Sequence, residues 1–223
     1  MRVFLFDIDG TLICTGGAGR LAMAGAFTDL FGDCDRGDGV PFSGRTDRAI
    51  ARDLFRAHDI PETEENWRAF RGRYLERLST ALTECKGKVL PGIERLLGRL
   101  ERETDVLVGL LTGNLSEGAG IKLGHYGLQD RFAFGGFGDE RFERNDVAAA
   151  ALAAARAKGG REPTTVWVVG DTPHDVTCAR HIGAKVAAVA TGLFSTTELA
   201  AENPDLVLAD FSAFTEDLPL LRP

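Results

Sequence analysis

The sequence predicts an α/β fold: a doubly wound parallel sheet with one helical insertion. Three observations carry that prediction. Short apolar runs recur along the chain, each followed by a turn and a helical pattern. The runs are near-continuous rather than alternating, which suits strands covered by helices on both faces. Between about Thr15 and Lys86 this rhythm stops, and only helical periodicity is found. With 223 residues the chain can build a full core and a small accessory unit beside it.

The elements follow in order. Val3–Phe6 is the first strand. Three helices follow: Gly19–Phe31 with Leu21, Phe27, Leu30 and Phe31; Thr46–His58 with Ile50, Leu54 and Phe55; and Glu64–Leu82 with Trp67, Phe70, Tyr74 and Leu78. A turn-rich stretch, 32–44, separates the first two. Pro91 opens a helix whose face is Ile93, Leu96, Leu97 and Leu100. Val106–Leu111 is the second strand, and Ser116 is the expected N-cap of the helix after it. Phe132–Phe137 is a weaker strand, loosened by glycines. Asn145 is the expected N-cap of an alanine-rich helix over Ala148–Ala157. Val166–Val169 and Val186–Val189 are further strands, and Leu206–Leu208 is an edge strand. The expected units are therefore 1–14 with 87–223, the sheet, and 15–86, the helical insertion.

Composition narrows the function. The net charge of −7 argues against a phosphate-backbone patch, so no nucleic-acid partner is expected. It leaves open a small anionic substrate, because a metal and a few cations can dominate one cleft. Cys14, Cys34, Cys85 and Cys178 form no C-x-x-C pair and read as reduced thiols. No apolar stretch is long enough to span a bilayer, and the few residues before Asp7 are too short for a signal peptide. The expectation is a cytoplasmic protein without a membrane partner, monomeric or homodimeric.

Chemistry concentrates at the ends of the predicted strands, where open parallel sheets bind ligands. Phe6-Asp7-Ile8-Asp9-Gly10-Thr11-Leu12 follows the first strand. Asp7 and Asp9, two apart in extended chain, point the same way, and Gly10 permits a sharp turn. Paired carboxylates repel unless a hard cation such as Mg²⁺ joins them. Thr112-Gly113-Asn114, after the second strand, offers a hydroxyl, an exposed backbone and an amide for phosphate oxygens. Gly170-Asp171-Thr172-Pro173-His174-Asp175 adds two carboxylates that could complete a metal site; the plainer reading makes Asp171 a helix cap, and His174 a lining of the turn or cleft rim. A phosphate among four carboxylates also needs a cation. Arg144 is the choice and Lys122 the alternative.

These motifs, in this order and on these elements, resemble the haloacid dehalogenase superfamily, and within it the phosphoglycolate-phosphatase-like hydrolases. The resemblance covers nearly the whole chain and implies a Rossmann-like core with 15–86 as its cap domain. It implies a Mg²⁺-dependent phosphatase acting on a small phosphorylated metabolite: phosphoglycolate-like, a sugar phosphate or a nucleotide. By that resemblance Asp7 is the nucleophile forming a phospho-aspartate, and Asp9 the general acid and then base. Thr112, with Gly113 and Asn114, holds the phosphate. Asp171 binds the metal with Asp7 and the Asp9 carbonyl, and Asp175 supports that shell. The family commonly has a lysine followed by proline where this chain reads Glu143-Arg144-Asn145-Asp146. Arginine keeps the charge there and offers two donors.

In the insertion, Ser43-Gly44-Arg45-Thr46-Asp47 reads equally as a helix start, capped by Thr46 or Ser43, and as a loop that brings Arg45 to the substrate. Gly16, Gly17 and Gly19 look like hinge material. Asp9 argues against a dehalogenase, and the absence of lysine before Lys86 argues against a phosphonate-cleaving relative that needs a cap lysine. A sugar phosphomutase remains the alternative, and beyond it a non-enzymatic phospho-accepting or binding module. Cys14, near the site, is expected to be buried.

Overall fold

The computed structural model describes residues 1–32, 39–213 and 218–221; Cys34 and part of the 32–44 stretch lie outside them. Its main sheet is built from β1 (Arg2–Phe6), β4 (Val106–Leu111), β5 (Gly135–Gly136), β6 (Thr165–Gly170), β7 (Lys185–Val189) and β8 (Leu206–Leu208). The spatial order is β5-β4-β1-β6-β7-β8, and every pairing is parallel. The chain thus winds outward from β1 in both directions. β1 shows why the runs are continuous. Phe4 and Phe6 pack toward α4 (Ile93–Leu100) and α5 (Ser116–His125), while Val3 and Leu5 pack toward α6 (Arg144–Gly159) and α7 (Pro173–His181). Side chains two apart share a face, so a strand covered on both sides must be apolar throughout.

The glycine-loosened strand is only two residues long. Gly135 and Gly136 have no side chains to pack, and a Cβ on Gly136 would lie 2.3 Å from the Val147 carbonyl oxygen of α6. Close contact with that helix is what the glycines allow. The helix after Pro91 begins at Ile93, because Gly92 takes the left-handed conformation (φ 80°) and caps it. A Cβ on Gly92 would strike the Phe211 carbonyl, so this turn needs glycine.

Two expected N-caps are not caps. Ser116 is already inside α5, and its N–H and hydroxyl both donate to Asp139, at 3.0 and 2.9 Å. A carboxylate from a distant loop has taken the capping role. α6 begins at Arg144, one residue before Asn145, and the side chain of its N-cap residue, Glu143, makes no capping bond.

Residues of the insertion form α1 (Ala18–Phe31), α2 (Asp47–Ala57) and α3 (Glu64–Glu84), which share an apolar cluster of their own that also takes in Leu115. Thr46 caps α2, accepting from the Ala49 N–H at 3.1 Å. The buried face of α1 differs from the expected one. Ala18, Ala22, Met23, Ala26 and Phe27 point inward, whereas Leu21 and Leu30 are 47% and 39% exposed. Small residues let α1 lie close to α3: a Cβ on Gly25 would come within 2.6 Å of the Arg77 guanidinium. The chain enters this region through β2 (Ile13–Cys14) and leaves through β3 (Lys88–Val89), which pair antiparallel. Gly16 and Gly17, at φ 64° and 90°, lie beside that crossing. Among the described residues no helix is long and apolar enough to cross a membrane.

Candidate active site

Winding outward from β1 brings the ends of β1, β4 and β6 together, and the sequence motifs with them. Asp7 directly follows β1 and stays in register, its N–H donating to the Val169 carbonyl at 2.9 Å. The chain then folds back on itself. Gly10, at φ 81°, donates to the Ile13 carbonyl at 2.8 Å. A Cβ on Gly10 would fall 2.4 Å from the Asp171 carboxylate, and one on Gly192 would also strike it. These two glycines are what allow backbone to wrap Asp171 so closely.

Asp171 follows β6, with its Oδ1 accepting from the Thr11 hydroxyl at 3.1 Å. It does not cap α7. Thr172 does, in a capping box with Asp175. That box engages Asp175 Oδ2, which accepts from the Thr172 N–H and hydroxyl at 3.0 and 2.8 Å. Oδ1 is left to accept from Arg144 Nη2. Arg144 also donates through Nη1 to Asp7 Oδ1 at 3.4 Å, so one guanidinium spans two buried carboxylates.

Asp7, Asp171 and Asp175 each offer an oxygen within 4.8 Å of the others. Burial raises the Asp7 carboxyl above its ordinary range, Arg144 opposes that rise, and Asp175 and Asp9 add to it. Asp171 is raised by burial and then by Asp175 and Asp7. Buried carboxylates held so close favour a hard divalent cation with oxygen ligands. The donor set and its glycine-lined cradle therefore fit Mg²⁺.

The Asp9 side chain does not join this trio, so only its backbone is left for the metal role. Its Oδ2 accepts from Lys122 Nζ at 2.6 Å and from Asn114 Nδ2 at 2.9 Å. Lys122 also donates to Asn114 Oδ1 at 2.6 Å. The two cations that the sequence left as alternatives thus have different partners: Arg144 faces Asp7, and Lys122 faces Asp9.

Thr112 is fully buried at the end of β4, its hydroxyl accepting from Asn114 Nδ2 at 2.7 Å. A Cβ on Gly113 would lie 2.0 Å from the Arg45 carbonyl oxygen, so the start of α2 rests directly on this loop. Asp47 fixes the contact twice. Its N–H donates to the Gly113 carbonyl at 2.7 Å, and its Oδ2 accepts from the Leu115 N–H at 2.9 Å. Arg45 pairs with Asp53 at 2.7 Å. A cavity of about 390 Å³ is lined by Asp7, Asp9, Arg45, Asn114, Arg144 and Asp171, among others; Thr112 and Asp175 stand behind its wall. Cys14 is exposed and on the wall, not buried: it occupies the outward position of a two-residue strand. His174 sits against Gly44, where a Cβ would be 2.5 Å from its ring.

Three features were not read from the sequence. The Lys122–Asp9 bond needs a helix placed against the first motif. Asp47 signalled only a helix start. Tyr74, one of an apolar row at helical spacing, lines the cavity.

Comparison with known proteins finds relatives across nearly the whole chain. Residues 4–180 match the haloacid dehalogenase-like hydrolase family. The chain is 29% identical to a phosphoglycolate phosphatase of Synechococcus elongatus over 212 residues, 93% of this chain and 92% of the relative. It is 30% identical to a phosphoglycolate phosphatase of Chromobacterium violaceum over 213 residues, 91% and 90% of the two chains. The fold is similar to that of CbbY from Rhodobacter sphaeroides, solved in complex with phosphate, with TM-score 0.73, 19% identity and 95% of each chain covered.

Proposed function

The chain belongs to the haloacid dehalogenase-like hydrolases and is a phosphatase; from this we propose that it hydrolyses a small phosphate monoester through a phospho-aspartate at Asp7, with Mg²⁺. The observation that carries the reading is Asp7 itself. It stands at the end of the central strand, beside Asp171 and Asp175, with Arg144 opposite at 3.4 Å.

Each residue has a part in that reaction. Asp7 Oδ bonds to phosphorus as the bond to the leaving oxygen breaks, and Asp9 gives that oxygen its proton. Asp9 then takes a proton from water, whose oxygen attacks phosphorus and releases phosphate from Asp7. Lys122 and Asn114 hold Asp9 in place for both steps. The Thr112–Asn114 loop orients the phosphoryl oxygens, and Arg144 balances charge at Asp7. Asp171, Asp175, Asp7 and the Asp9 carbonyl would hold Mg²⁺. When bound, that ion supplies neutralisation of the charge that builds as phosphoryl transfer proceeds. The segment 15–86 acts as the cap, with Arg45 on its inner side and the glycines at 16 and 17 in its hinge. A small phosphorylated metabolite, in the cytoplasm, is the partner this site suits.

The test is hydrolysis of an aryl phosphate by the purified protein, with Mg²⁺ and with excess chelator, beside Asp7→Asn. Metal-dependent release of inorganic phosphate that falls at least about a thousandfold in Asp7→Asn is expected. Turnover surviving in Asp7→Asn would sink the assignment. An isomerised sugar phosphate without release of phosphate would favour a mutase.

A further inference from the structure

The hydroxyl of Tyr74 is buried and, among the described residues, has no hydrogen-bond partner in normal geometry. Tyr74 comes from α3, is 1% exposed, and lines the same cavity as Asp7 and Asp9. Beside it is Asp47, also buried and on the cavity wall. Asp47 uses Oδ2 for the Leu115 N–H at 2.9 Å, while among the described residues no hydrogen bond of normal geometry reaches Oδ1. The Tyr74 hydroxyl is next to that carboxylate without completing a bond of normal geometry. Both groups lie within electrostatic reach of Asp9, the residue that serves the leaving oxygen.

Buried polar groups in folded proteins nearly always find partners, because a dry unpaired hydroxyl is costly. A group in the cavity can complete this donor and this acceptor together. A single ligand hydroxyl does this, accepting from Tyr74 and donating to Asp47. In the free protein an ordered water can stand there and be displaced. A ligand carboxylate cannot, because it has no proton to give Asp47 and carries the same charge. Met23 and Ile50 line the same cavity and give it apolar surface suited to a carbon skeleton.

We propose that Tyr74 and Asp47 form a subsite that reads a free hydroxyl on the leaving group, so that the preferred substrates are monophosphates of polyols or sugars. This rests on the phosphatase reading above. It places selectivity on two side chains of the helical segment, next to the acid that protonates the leaving oxygen.

Binding to the inert Asp7→Asn protein tests it without turnover. Calorimetric titrations in Mg²⁺ would compare glycerol 1-phosphate with n-propyl phosphate, which lacks the hydroxyls. About tenfold tighter binding of the glycerol ester is expected, the size of one well-made hydrogen bond in a buried site. Adding Tyr74→Phe should bring the ratio near one. Adding Asp47→Asn should do the same, since its amide would present a donor where the ligand hydroxyl needs an acceptor. Tyr126→Phe, which also removes a partnerless hydroxyl but off the cavity, should leave the ratio intact. Tyr74→Phe should melt near the parent's midpoint, since among the described residues no protein group makes a bond of normal geometry to that hydroxyl. Equal affinity of Asp7→Asn for the two esters, no detectable binding of either, or a ratio indifferent to Tyr74→Phe would overturn the subsite. Loss of the phosphatase reading would show separately, in aryl phosphate turnover by the parent.

Discussion

Arg144 is buried, and two buried carboxylates depend on its charge. Removing one member of such a cluster leaves the others dry and unbalanced, which typically costs about 3–5 kcal/mol. Arg144→Met is therefore expected to lose roughly that much stability in urea unfolding. Arg144→Lys should recover only part, because a single ammonium does not reproduce a fork that spans Asp7 and Asp175. A loss below about 1 kcal/mol for Arg144→Met would mean that Asp175 is neutralised in another way. At this scale the sequence was legible where chemistry is local. Asp7, Thr112 and Asp171 stand at strand ends because each strand and its following turn are written contiguously. It was illegible where a partner comes from elsewhere. Ser116 is served by Asp139, Asp9 by Lys122, and Tyr74 sits in an apolar row with nothing to mark its hydroxyl.

Between elements, the start of α2 touches two site loops at once. Asp47 holds the Gly113–Leu115 loop as described, and the Thr46 hydroxyl donates to the Phe142 carbonyl at 3.3 Å. Arg48 and Arg52, one turn apart, lie over the Phe142 ring at 5.5 and 4.4 Å. Phe142 is two residues from Arg144, so the clamp that seats α2 adjoins the residue that faces Asp7. Stacked cations of this kind contribute about 0.5–2 kcal/mol each. Phe142→Ala should therefore loosen the seating of α2 by about 1–3 kcal/mol without unfolding the sheet. The amides of Asp47 and Leu115 report on it, because both bond across the contact. Their hydrogen exchange, followed by NMR, should speed up by roughly 5- to 160-fold while that of β1 stays slow. Unchanged exchange at both amides would show that the clamp does not seat the helix. Existence and order of the elements were readable from periodicity. Their rotation was not: α1 turns its leucines outward because close packing on α3 selects its alanines, and that selection is made by the partner helix.

For the whole molecule, topology explains why one site unites residues as far apart as 7, 112, 144 and 171. Parallel strands that wind outward from β1 in both directions put every relevant strand end on one edge of the sheet. The same topology ties global stability to the site. Asp7 and Asp171 follow neighbouring strands of the core, and their carboxyls are raised by burial and then by neighbouring carboxylates, Asp175 for both and Asp7 for Asp171. A cation that binds them in the folded state alone stabilises the entire sheet by mass action, about 2.7 kcal/mol at a hundred times its dissociation constant. For a protein of this length that is roughly a 5–10 °C rise in the thermal midpoint. Scanning calorimetry in saturating Mg²⁺ and in excess chelator should show this rise for the parent and for Asp7→Asn in reduced form. Asp171→Asn should abolish it: the substitution relieves the repulsion, so the variant without metal should melt as high as the parent or higher, yet gain nothing from Mg²⁺. A metal-independent midpoint in the parent would remove the cation from the folded state's electrostatics. An undiminished response in Asp171→Asn would move it to other ligands.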